Sequence, residues 1–91
     1  MVRVGIIGDF HSGAETHRAT NAALQHAAHA LTTPLTVSWV PTVELSQGVV
    51  EDTLASFDAL WAAPGSPYVS MDGALCGIRF AREHGWPFFG T

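Results

Sequence analysis

The sequence predicts an α/β protein of three layers, α/β/α, with helices on both faces of a mostly parallel sheet. Three observations predict it. Apolar runs alternate with helical stretches in the order β-α-β-α-β-α-β. The runs at residues 3–8 (RVGIIG), 35–40 (LTVSWV) and 59–63 (ALWAA) are largely continuous, as in strands buried on both faces. The connections between elements are short, and 91 residues allow one small domain.

Each element has a local signal. The first strand is closed by Gly8, and residues 9–13 read as a loop. Ser12 followed by Glu15 fits a capping box, in which the serine caps the helix and the glutamate reaches back three residues later. The helix is expected to run to about residue 31. Thr20, Ala23, Leu24, Ala27 and Leu31 have the spacing of one inward stripe. The second strand is bounded by Pro34 and Pro41. Residues 42–48 read as irregular. Val50, Leu54 and Phe57 then have helical spacing, which predicts a short helix before Asp58.

Pro64-Gly65 ends the third strand, and residues 66–70 form a loop. A helix over residues 72–84 is expected, capped by Ser70, with Leu75, Ile78 and Ala81 inward. Gly85 fits its C-terminal cap, where a left-handed residue is wanted. Residues 87–90 read as a fourth strand. Every crossover is expected to be right-handed. No helix follows the fourth strand, so one face of the sheet beside it is expected to be bare. The 91 residues are therefore read as part of a domain.

Composition excludes several functions. The net charge is −4 with four Lys and Arg together. Binding a phosphate backbone or an anionic membrane surface needs clustered cations, so neither nucleic acid nor membrane is expected as a partner. No apolar run approaches the roughly 20 residues of a membrane span. The N-terminus opens on a strand and lacks the layout of a signal peptide. The single cysteine, Cys76, has no internal disulfide partner, and a cytoplasmic location is the expectation.

Cys76 falls mid-helix, where a small thiol packs well, so its expected role is structural. The five histidines raise the question of a metal. His26 and His29 are three apart on the first helix, with His11 and His17 nearby in sequence. Zinc needs three or four converging ligands, and no cysteine or acidic cluster completes the set, so no metal is expected.

Chemistry is expected where strands end. In doubly wound sheets ligands bind in the crevice outside the carboxyl ends of the strands. Three such ends are Gly8-Asp9-Phe10, Pro64-Gly65-Ser66 and Gly90-Thr91. A glycine there can turn successive backbone N–H groups toward a ligand, and such groups can hold a developing oxyanion. The same tripeptide also suits a plain turn. Asp9 and His11 share the first edge loop, as ligand contacts or as ordinary turn residues.

Six segments carry a resemblance. They are Val4-Gly-Ile-Ile-Gly8, Ala23-Leu24-Gln25-His26-Ala27, Val37-Ser-Trp39-Val40, Pro64-Gly65-Ser66, Phe80-Ala81-Arg82-Glu83 and Pro87-Phe-Phe-Gly90-Thr91. In this order and spacing the chain resembles the class I glutamine amidotransferase domain, most closely the glutaminase half of CTP synthase. The resemblance implies a flavodoxin-like sheet and a partial domain, residues 1–91 being its N-terminal portion. It implies a Cys-His-Glu triad beyond residue 91, with the nucleophile expected directly after Thr91. The cysteine would attack an amide of glutamine or a related compound, form a thioester and release ammonia, with no cofactor.

Of the family's site, only the loop after the third strand carries over. Gly65 would present its N–H to the oxyanion. Ser66, Pro67 and Tyr68 would line the substrate pocket, with His11 near it. This loop also departs from the family. Ser66 replaces a second glycine, and Pro67-Tyr68 replace Phe-Gly. The implied partners are an amide substrate and the remainder of the same domain or a complementing chain, and a homo-oligomer is compatible with the sequence. A non-catalytic small-molecule-binding or regulatory module on the same fold is the competing reading. A phosphate-binding domain ranks last, because residues 9–13 lack the lysine and glycine density of a phosphate cradle.

Overall fold

The computed structural model describes residues 2–10, 15–45, 50–63 and 68–90. Four parallel strands, β1 (Val2–Ile7), β2 (Leu35–Val40), β3 (Ala59–Ala62) and β4 (Phe88–Gly90), form one sheet in the order β2-β1-β3-β4. Helix α1 (Glu15–Ala30) connects β1 to β2. The short helices α2 (Thr42–Leu45) and α3 (Val50–Leu54) lie between β2 and β3, and α4 (Met71–His84) connects β3 to β4. The α/β class and the parallel sheet read from the sequence are both present.

The chain leaves β1 for β2 on one side, then returns past β1 to β3 on the other. Same-handed crossovers therefore place α1 on one face and the later helices on the opposite face. The core divides accordingly. Val4, Ile6 and Ala63 pack with Leu24 of α1 and with Val37 and Trp39 of β2. Ile7, Val40 and Leu60 pack on the other face with Leu45, Leu54, Ala74, Phe80 and Ala81. Burial of such side chains is the main stabilising term, roughly 1.5–3 kcal/mol for each large one.

Several expectations about the helices are corrected. The buried residues of α1 are His17 and Thr20, with Leu24 and Ala28 half-buried. Ala23 and Ala27 are exposed, and Leu31 is 74% exposed. In an alanine-rich helix neighbouring stripes differ little in apolar area, so spacing alone does not choose between them. In α4 the buried face is Gly73, Ala74, Gly77, Phe80 and Ala81, while Leu75 is exposed. The small residues allow close approach: a Cβ on Gly77 would lie 2.7 Å from Ile7 Cδ1 and 3.1 Å from Leu45 Cδ1.

The region read as irregular contains α2, whose Thr42 and Leu45, three apart, are both fully buried. Cys76 is half-buried, beside Val50, Arg79 and Phe80, and not enclosed in the core.

The expected caps of α4 are present. Ser70 Oγ accepts from Gly73 N–H, and Gly85 adopts φ 69°. Phe88 and Phe89 on β4 are exposed, and Phe89 meets Trp61 edge-on at 5.0 Å. Among the described residues no helix covers this part of the sheet. None is long and apolar enough to cross a membrane.

Candidate functional site

The strand order changes direction between β1 and β3, and in such sheets ligands bind at the carboxyl edge beside that point. Gly8 N–H donates to Val40 O at 3.0 Å and Ala63 N–H to Ile7 O at 3.0 Å, so the three strand ends are locked together. Gly8 is required by this approach: a Cβ there would lie 2.9 Å from Ala63 Cβ.

Asp9 organises the edge. Its carboxylate accepts from Thr42 N–H at 2.9 Å, from the Thr42 hydroxyl at 2.8 Å and from Val69 N–H at 2.9 Å. The Thr42 oxygen in turn accepts from Ser70 N–H at 2.9 Å. Three connections, those after β1, β2 and β3, thus meet on one carboxylate. Partial burial pushes the Asp9 pKa up. The bonds from Val69 and Thr42, aided by the nearby His17, outweigh that, and the net direction is down. Asp9 is therefore an anion at neutral pH.

Beside it, Tyr68 packs its ring against the core and donates its hydroxyl to Ala63 O at 2.7 Å. Its pKa is raised, first by burial and then by the Asp9 charge. Phe10 and His17 cluster around Trp39, three aromatic rings in all. The buried His17 ring lies 4.8 Å from Trp39, and Phe10, 45% exposed, meets Trp39 edge-on at 5.1 Å. Trp39 Nε1 donates to Asn21 Oδ1 at 2.8 Å.

Of the residues singled out in the sequence, Tyr68 and Asp9 are at this edge. His11, Gly65, Ser66 and Pro67 lie outside the described residues. His26 and His29 are exposed on α1, and no group of three metal-ligating side chains occurs among the described residues. Thr42 was missed. Its signal is the register: Ile7 pairs with Val40, so Asp9 and Thr42 each stand two residues beyond a matched pair. That pairing is not visible in a separation of 33 residues.

No family model matches the chain. Curated proteins do. CTP synthase of Staphylococcus haemolyticus is 27% identical over 89 residues, 98% of this chain and 17% of that protein. CTP synthase of Thermosynechococcus vestitus is 32% identical over 89 residues, 98% of this chain and 16% of that protein. The chain is related to CTP synthase. Among solved structures, the glutaminase domain of Trypanosoma brucei CTPS with bound acivicin matches with a TM-score of 0.82 at 22% identity. That match covers 99% of this chain and 36% of that one, and it establishes the shared fold. The chain spans about a sixth of the length of these CTP synthases.

Proposed function

We propose that residues 1–91 are the N-terminal portion of a glutamine-amidotransferase-like domain that hydrolyses an amide, glutamine or a close relative. The observation that carries the reading is the alignment with CTP synthases over 98% of the chain. The glutaminase-domain fold supports it. So does the end of β3, which reaches the carboxyl edge of the sheet where ligands bind in such folds.

In this reading the nucleophilic cysteine, the histidine base and the orienting glutamate lie beyond residue 91. The cysteine adds to the amide carbonyl, ammonia leaves as the histidine protonates it, and water releases the acyl group from the thioester. Gly65 supplies a backbone N–H to the oxyanion, and Ser66, Pro67, Tyr68 and His11 line the pocket. No cofactor enters. The partners are the amide and the rest of the domain, in a cytoplasmic protein.

A second reading is favoured by one observation. The loop carries Ser66-Pro67-Tyr68, and the Tyr68 hydroxyl is turned to Ala63 O. A loop so altered suits a module that binds a small molecule without hydrolysing it.

Ammonia release by the full-length protein from glutamine and a panel of related amides separates the two. The enzyme reading predicts turnover that falls by roughly 10²–10³ in Gly65→Val, the cost of one oxyanion donor. Binding without ammonia release supports the module.

A further inference from the structure

β2 is an edge strand, and no strand among the described residues pairs with its outer side. On the inner side Val2 N–H donates to Pro34 O and Gly8 N–H to Val40 O, both at 3.0 Å. Alternate residues of a strand turn their backbone groups to the same side, so the even-numbered residues of β2 face β1. The N–H and C=O groups of Leu35, Val37 and Trp39 point away from the sheet. Edges of this kind are ordinarily blunted by shortness, a bulge, a proline or a charged side chain. β2 has six residues, none of them proline or charged, and its register with β1 is unbroken. Its burial is also incomplete. Leu35, Val37 and Trp39 pack on the α1 side with Leu24 but stay half-buried. Beside them an open cleft of about 550 Å³ separates Leu35 from Gln25, Ala28 and His29 of α1.

We propose that β2 pairs antiparallel with β2 of a second copy of this chain, about a two-fold axis at Val37, joining the two four-stranded sheets into one. The strand is its own complement. With Val37 on the axis, Leu35 of each copy faces Trp39 of the other and Val37 faces Val37. Each facing pair exchanges N–H and C=O in both directions. On the α1 side the same pairs are apolar cross-strand contacts, which complete the burial of all three side chains. On the opposite face Thr36 meets Ser38, both exposed and uncharged. No aspartate, glutamate, lysine or arginine lies on β2 or lines the cleft, so the net charge of −4 on each copy sets up no like-charge contact there. The edge at β4 is a poorer match, with three residues. The pairing does not depend on the amide-hydrolase reading.

The test follows the mass of the full-length protein by sedimentation across the micromolar range, with hydrogen exchange read at each amide of β2. A dimer is expected. The Leu35, Val37 and Trp39 amides are expected to be protected in it and to exchange faster on dilution. Thr36 and Ser38, which face β1, are expected to stay protected at every concentration. Val37→Pro removes an N–H that faces away from β1, a position at which an edge strand tolerates proline. It is expected to weaken the dimer by about 10-fold or more, because a hydrogen bond is lost on each side of the axis. Should Val37→Pro fail to fold, the double variant Thr36→Glu, Ser38→Glu decides. Both positions are exposed on the single chain, and pairing would set like charges directly opposite each other.

A monomer at every concentration would overturn the proposal. So would a dimer whose Leu35, Val37 and Trp39 amides exchange freely, or wild-type dimerisation by the folded variants. A monomer with those three amides protected would place another part of the same polypeptide on β2 and would overturn it as well.

Discussion

Asp9 is the residue on which the edge of the sheet converges, and its chemistry makes a prediction about acid. Its folded-state pKa lies below the ordinary value because its hydrogen bonds outweigh the opposing effect of burial. Its contribution to stability is therefore complete above the unfolded value, about pH 4, and is lost as pH falls through the lower folded value. Tyr68 has the opposite sense. Burial first, and then the Asp9 charge, raise its pKa. Its contribution is complete below the unfolded value, about pH 10, and is lost as pH rises through the folded one. Urea melts across the pH range are expected to show both limbs, with the acid limb flattened in Asp9→Asn. An acid limb of wild-type slope in that variant would contradict the assignment. Asp9 was visible in the sequence as a residue at a strand end. Its partner was not, because a hydrogen bond across 33 residues exists only once β1 and β2 are in register.

At the scale of elements, the two long helices end differently. Helix α4 stops at Gly85, whose φ of 69° suits a residue without Cβ, and Trp86 N–H returns to Ala81 O at 3.0 Å. Helix α1 stops with Thr32 at φ 52°, with Thr33 N–H returning to Ala28 O at 2.9 Å. A β-branched residue in that region is strained by about 1–2 kcal/mol. Thr32→Gly is expected to stabilise the protein by about 0.5–1 kcal/mol, after the entropy glycine loses on folding is deducted. Gly85→Ala is expected to destabilise it by about 1 kcal/mol. A Cβ there meets nothing within 4 Å, so the effect is one of backbone alone. Denaturant midpoints of the two variants check both signs.

Elements were legible where punctuation was strong. Pro34 and Pro41 bracket β2, and Ser70 and Gly85 bracket α4. They were less legible where burial depends on small residues. The inward face of α4 is built on Gly73, Ala74 and Gly77, which carry little hydrophobic signal, while the exposed Leu75 carries a strong one.

For the whole molecule, the order β2-β1-β3-β4 puts the reversal of strand order between β1 and β3, which is where ligands bind in sheets of this kind. The alternation of elements made the class readable, and the six family segments made the relationship readable. The pocket is a different matter: the fold establishes a scaffold, and chemistry must be argued from the groups placed on it. The proposed function places attack on an amide carbonyl, through a covalent intermediate, on this scaffold. The most direct measurement is intact-mass analysis of the full-length protein, acid-quenched within milliseconds of mixing with glutamine or another amide that it hydrolyses. A transient adduct with the mass of the acyl group, diminished in Gly65→Val, is expected. Ammonia release that proceeds with no acyl adduct at any quench time, or no ammonia release from any amide, would contradict it.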